Sequence, residues 1–164
     1  MALLGGCQTS DISSARYEAP GVPVALGDVE GAPEAIKARV SAEIATQASA
    51  RRIEIVEAAS QPRYRLKGYL TAYPTETGDT ALSFVWDVFD SSNQRARRVT
   101  TTTVASGQGE DPWSKIGETQ IAKTASQSMN QVAAFLSASG ASGEAAPAGD
   151  SAPPSRALGF TATP

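Results

Sequence analysis

The chain has 164 residues and a net charge of −3. It contains no histidine and one cysteine, which excludes an internal disulfide, a Cys/His zinc site and any catalytic triad that needs an imidazole base. The acidic balance argues against nucleic acid as a partner, and an aromatic content of 6% limits the core to one modest domain.

Residues 1–7 end in Leu4-Gly5-Gly6-Cys7. An aliphatic residue, two small residues and a cysteine resemble the lipobox of bacterial envelope lipoproteins. The resemblance implies cleavage of the 6–7 bond by a signal peptidase and a diacylglyceryl group with palmitate-type chains on the Cys7 thiol. Acyl chains contribute about 0.8 kcal/mol per buried CH₂, so several of them hold a protein at a membrane. Only Met1-Ala2-Leu3 precede the motif, without lysine or arginine. A signal peptide needs a basic start and a longer apolar run, so this reading expects a leader upstream of Met1. Gln8, where sorting in enteric bacteria would read an aspartate differently, points to the periplasmic side of the outer membrane. No stretch of the sequence is long and apolar enough to span a bilayer as a helix.

Residues 8–21 are polar and end in Glu18-Ala19-Pro20-Gly21; they are expected to form a flexible tether. The folded domain is expected over 22–136. Val22 to Leu26 alternates and predicts a first strand, with Gly27 to Pro33 as a turn. Pro33 suits a helix start. Ile36, Val40, Ile44 and Ala48 recur every four residues and predict an amphipathic helix to about Arg52. Ile53 to Val56 predicts a second strand, and Pro62 breaks the chain before Tyr64.

From Tyr64 to Tyr73 side chains alternate: Tyr64, Leu66, Gly68, Leu70 and Ala72 against Arg65, Lys67, Tyr69, Thr71 and Tyr73. After a turn over 74–79, Thr80 to Phe89 places Leu82, Phe84, Trp86 and Val88 on one face, and Ala81, Ser83, Val85, Asp87 and Phe89 on the other. Asp90 to Asn93 turns the chain into Arg95–Val104, whose threonines suit a solvent-facing strand. Asp111-Pro112 reads as cap and first turn of a second helix. Its stripe runs through Trp113, Gly117, Ile121, Ala125, Met129, Val132 and Leu136 and ends near Phe135–Ser137. Residues 137–164 are rich in Ala, Gly, Ser and Pro and are expected to be disordered.

This order predicts an α+β two-layer sandwich: a largely antiparallel four- to five-stranded sheet with two helices on one face. The expected core is Ile36, Val40, Ile44, Ile55, Leu66, Leu70, Leu82, Phe84, Trp86, Ile121, Val132 and Leu136. The same order is similar to small periplasmic domains of envelope lipoproteins, such as the outer-membrane activators of penicillin-binding proteins and the amino-terminal domain of the Tol translocation protein. Tyr64-Arg65-Leu66-Lys67-Gly68-Tyr69-Leu70 and Phe84-Val85-Trp86-Asp87-Val88-Phe89-Asp90 also resemble uncharacterised alphaproteobacterial lipoproteins. These resemblances cover about 22–136, carry no catalytic motif, and imply an adaptor role.

No phosphate loop, dinucleotide fingerprint, nucleophile elbow or Ser-x-x-Lys pair occurs, so neither an enzyme nor a cofactor nor a metal site is expected. Cys7 has no histidine to activate it as a nucleophile. Glu76, Asp79, Asp87 and Asp90 could form a hydrolase pair, but Asp79 and Asp90 are ordinary turn residues and Asp87 can pair with Arg97 or Arg98. Arginines at 51–52, around Arg63, Arg65 and Lys67, and at 95–98 read as solvated strand faces rather than a nucleic-acid platform. With both helices on one sheet face, Tyr69, Tyr73, Val85 and Phe89 are left on the other. Rimmed by Arg65 and Lys67, they have the composition of a protein interface. The expected function is therefore a lipid-anchored, non-catalytic binding or adaptor module. It would be attached to a membrane through Cys7 and meet an envelope protein partner or a second copy of itself. The alternatives are a soluble structural or interaction domain without lipid, or a carboxylate-dependent hydrolase; for the patch itself the alternative is cover by the chain's own tail through Leu158 and Phe160.

Overall fold

Among the described residues, hydrophobic alternation and two apolar helical stripes resolve into five strands and two α-helices. These are β1 Pro23–Glu30, α1 Glu34–Ala50, β2 Glu54–Val56, β3 Tyr64–Pro74, β4 Thr80–Asp90, β5 Arg95–Ala105 and α2 Glu118–Ala141. The computed structural model describes residues 16–107 and 110–141; Cys7, Leu158 and Phe160 lie outside them. The strands form one sheet in the order β2-β1-β3-β4-β5. Strands β3, β4 and β5 are an antiparallel meander joined by two hairpin turns. Strand β1 runs parallel to both of its neighbours, because α1 carries the chain back across the sheet before β2 begins, as a parallel neighbour requires. The arrangement is α+β, as the order of elements predicts.

The core lies between the sheet and the two helices. Leu66, Leu70, Leu82, Phe84, Trp86 and Val88 meet Ile36, Val40, Ile44 and Ala48 of α1 and Ile121, Ala125, Met129, Val132 and Leu136 of α2 in one buried cluster. Phe84 and Trp86 are fully buried, with ring centroids 4.6 Å apart. Burying an aromatic side chain removes about 150–250 Å² from water, roughly 4–6 kcal/mol at 25 cal/mol/Å², so this pair is the largest single apolar contribution from the sheet.

Four details depart from the sequence expectation. Ile55 is 42% exposed while Ile53 is buried. Strand β2 is only three residues long and lies at the sheet edge, so Ile55 has a sheet neighbour on one side alone. Strand β1 continues through Gly27-Asp28 instead of turning there, with a bulge between Leu26 and Val29. A Cβ at Gly27 would stand 2.8 Å from the Leu66 carbonyl oxygen; glycine permits that backbone approach. Asp111 does cap a turn, accepting from Trp113 N–H at 3.2 Å, but that turn is a short 3₁₀ segment, Pro112–Lys115. Ile116 is extended and buried, so α2 starts at Glu118, and it runs to Ala141, beyond the expected end. Finally, β5 is only half solvent-facing. Val99, Thr101, Thr103 and Ala105 are buried, and Thr103 and Thr124 of α2 share a hydroxyl hydrogen bond of 2.6 Å.

The expected tether also divides: 8–15 lie outside the described residues, whereas 16–21 dock on the body. Tyr17 N–H donates to Asn130 Oδ1, Ala19 N–H donates to the Arg51 carbonyl, and Ala19 is buried.

Gly68 pairs with Trp86 in the β3–β4 register. A Cβ there would lie 2.9 Å from Phe84 Cε2 and 3.0 Å from Trp86 Cζ3, so both rings would have to shift in a close-packed layer. Replacing Gly68 by alanine is expected to lower stability by about 1–3 kcal/mol. Urea denaturation checks this: the midpoint should fall with an unchanged slope.

Candidate interaction surface

The face of the sheet turned away from the helices is built by the odd–even alternation of β3, β4 and β5. Residues in register across the three strands form five rows: Arg65–Phe89–Arg95, Lys67–Asp87–Arg98, Tyr69–Val85–Thr100, Thr71–Ser83–Thr102 and Tyr73–Ala81–Val104. Rows two residues apart stand about 6.6–7 Å apart, so the face is roughly 26 Å long. All six residues expected at a partner surface, Arg65, Lys67, Tyr69, Tyr73, Val85 and Phe89, lie on it. Their order differs from a patch with a basic rim. Phe89, the Tyr69–Val85 pair and Tyr73 are separated by a charged row and a hydroxyl row, so the basic groups lie among the apolar ones.

The charged row is the electrostatic centre. Arg98 donates from Nε and Nη2 to Asp87 Oδ1 and Oδ2 at 2.7 and 2.6 Å, a bidentate pair. Arg95 Nη1 is 3.8 Å from Asp87 Oδ1. The Asp87 side chain is 5% exposed and that of Arg98 51%. The hydrogen bonds from Arg98 hold the Asp87 carboxyl below its ordinary pKa, against the opposing effect of burial. On the other flank Lys67 Nζ meets Glu30 Oε1 at 3.0 Å and lies over the Tyr69 ring, 5.4 Å from its centroid. The hydrogen bond to Glu30 raises the Lys67 pKa above its ordinary value.

The carboxylates considered for hydrolysis are not gathered into a site. Asp87 is occupied by Arg98. Asp90 Oδ1 accepts from the Ser92 and Gln94 N–H groups, which closes the β4–β5 turn. Asp79 accepts from the Thr77 hydroxyl in the neighbouring turn. Among the described residues no group of three or more Cys, Asp or Glu side chains could hold a metal ion.

The arginine runs are dispersed. Arg97, on the helix side, lines a groove with Val99, Gln131 and Phe135. Arg63 donates to the Ser139 carbonyl at the end of α2, and Arg52 pairs with Glu18 at 3.3 Å. Arg51 is the residue that sequence reasoning misplaced. It is buried, bonds Gln47 on its own helix, and donates from Nη2 to the backbone oxygen and hydroxyl of Ser126 on α2. Burial draws its pKa down. Its position just past the last α1 stripe residue, Ala48, was the one available signal.

No family model and no curated protein matches this chain. Solved structures do. A hypothetical protein from Chlamydia trachomatis is 13% identical, with a TM-score of 0.52 over 71% of this chain and 98% of that one. A Xanthomonas campestris protein is 8% identical, with a TM-score of 0.51 over 79% of this chain and 92% of the other. A minor lipoprotein from Acinetobacter baumannii is 13% identical, with a TM-score of 0.49 over 70% and 94%. At such identities the likeness concerns the fold.

Replacing Asp87 by asparagine is expected to lower stability by about 1 kcal/mol, since water solvates the half-exposed arginine left behind. Arg98→Ala is expected to destabilise more, because it strands a buried carboxylate. A carboxyl with a depressed folded pKa stabilises above its unfolded value and loses that contribution as pH falls through the folded one. The gap between wild type and Asp87→Asn should therefore be complete above pH 3.8 and close below it. Thermal melts of both chains across that range check the sign.

Proposed function

We propose that this chain is a lipid-anchored module of the bacterial cell envelope, without catalytic activity of its own, that holds a protein partner on the open face of its sheet. The observation that carries this reading is the five-row face itself. Neither helix covers it. Tyr73 stays 43% exposed at one end, while Phe89 and the Tyr69–Val85 pair are half-buried among arginine and lysine. Aromatic side chains with arginine are the enriched composition of protein interfaces. The helix side is already filled by the chain's own core. Leu4-Gly5-Gly6-Cys7 and the polar residues after it support a lipid on Cys7, and Gln8 supports the periplasmic side of the outer membrane.

Two measurements test the two halves of the proposal separately. Expressed from its full gene, the protein should incorporate a clickable palmitate analogue and fractionate with membranes, and Cys7→Ala should abolish both. Label that persists in Cys7→Ala would refute the anchor. A photo-crosslinking amino acid at Tyr73 or Phe89 should give a discrete adduct in intact cells, and the same probe at Thr46 on α1 should not. Equal adducts at all three positions, or none at the sheet positions, would refute the open face as the docking surface.

A further inference from the structure

The two edges of the sheet differ. At one edge β2 is three residues long, too short to template much pairing. At the other, β5 is eleven residues long and carries no proline or lysine. Its irregularity in register lies at its start, opposite Val88 and Phe89, leaving Arg98–Ala105 regular. Long regular edges are the ones proteins normally interrupt or use.

Which groups face outward from β5 follows from the ladder. Asp90 N–H donates to the Gln94 carbonyl, so this pair is hydrogen-bonded and such pairs then alternate along the hairpin. Beyond the bulge, Val99, Thr101, Thr103 and Ala105 bond to β4. Arg98, Thr100, Thr102 and Val104 direct their N–H and C=O groups at the free edge. Gln120 Nε2 donates to the Val104 carbonyl, which places that oxygen outside the β4–β5 ladder. Thr100, Thr102 and Val104 are exposed, and Val104, at 52%, is the most exposed large hydrophobic residue among those described.

We propose that the occupant of this edge is β5 of a second copy of the chain, running antiparallel about a two-fold axis at Thr101. That register sets Thr100 opposite Thr102 of the second copy and Arg98 opposite its Val104, and the outward groups of the edge find counterparts, the Val104 carbonyl exchanging Gln120 Nε2 for Arg98 N–H of the second copy. Threonine pairs are favourable cross-strand neighbours, and arginine meets a neutral residue. A parallel pairing of the same two edges would turn the second copy over and put the two open faces on opposite sides. The two-fold axis is perpendicular to the sheet, so both open faces lie on the same side and merge into one surface across two five-stranded sheets. The proposal is independent of lipid on Cys7 and of any partner on the open face.

The test is sedimentation of the full, unlipidated chain over a range of concentration, with amide hydrogen exchange on the same samples. A monomer–dimer equilibrium is expected, with the Arg98, Thr100 and Thr102 amides gaining protection as the dimer fills. Thr102→Pro removes an outward N–H without touching the bonds to β4. It should weaken association by roughly ten- to hundredfold, from two lost hydrogen bonds per dimer. A monomer at every concentration overturns the proposal, including the case in which the edge instead receives an extended peptide of another protein. So does a dimer in which those amides exchange as fast as in the monomer, a result that wild-type protein alone supplies if Thr102→Pro does not fold.

Discussion

Leu82, Phe84, Trp86 and Val88 on one side of β4, and Ala81, Ser83, Val85, Asp87 and Phe89 on the other, divide the molecule in two. A strand can serve both solvent and core only if its pattern keeps period two without a slip, because a shift of one residue exchanges the faces. The two neighbours of β4 obey the same phase. Leu66, Gly68 and Leu70 of β3 and Val99, Thr101 and Thr103 of β5 stand on the core side. The absence of a side chain at Gly68 leaves room for the Phe84–Trp86 pair to lie flat against β3. Everything on the open face, including the order of its rows, follows from that shared phase.

The helical layer, packed on the sheet through its apolar stripes, is also tied by polar contacts at its seams. Arg51 is buried at the end of α1 and donates to Ser126 on α2, and among the described residues no carboxylate pairs with it. Its charge is instead shared among carbonyl and hydroxyl oxygens, which are the partners a helix C-terminus presents to a cation. Across the other seam, Gln131 Nε2 donates to Thr101 Oγ1 at 3.1 Å and Thr103 meets Thr124. Directional contacts of this kind fix the rotation of α2 over β5 more sharply than small side chains such as Ala125 and Ala133 can.

The elements whose pattern is complete within a few residues are legible in the sequence: α1 from Ile36, Val40, Ile44 and Ala48, and the meander from its alternation and its Gly- and Asp-rich turns. The open face is legible for the same reason, since placing both helices on one side leaves the other phase of three strands uncovered. What could not be read depended on distant partners. Gly27-Asp28 has the composition of a turn and is carried through as the bulge of β1 because Leu26 and Val29 on either side of it pair with β3. Ile53 and Ile55 are equivalent in sequence and differ because Ile53 is tied to the end of α1 by its N–H on the Ala48 carbonyl, whereas Ile55 lies in the short edge strand. Thr101 and Thr103 look like surface threonines until α2 supplies hydroxyl and amide partners. The apolar residues of the open face looked like a continuous patch, because alternation identifies the face and says nothing of how rows from three strands interleave.

That interleaving bears on what the face is for. If it were destined for permanent cover by the chain itself, replacing the Asp87–Arg98 pair with apolar side chains would be neutral or stabilising, since a buried ion pair gains little over good packing. Here a carboxylate is instead kept nearly out of water, with a bidentate arginine across it, between Phe89 and the Tyr69–Val85 pair. The arrangement divides the apolar side chains of the face into separate rows. It leaves aromatic side chains at fixed spacing on the sheet, with the Lys67–Asp87–Arg98 row between them. On the proposed reading of this face as a partner surface, the charges between the apolar steps are groups that a partner has to match.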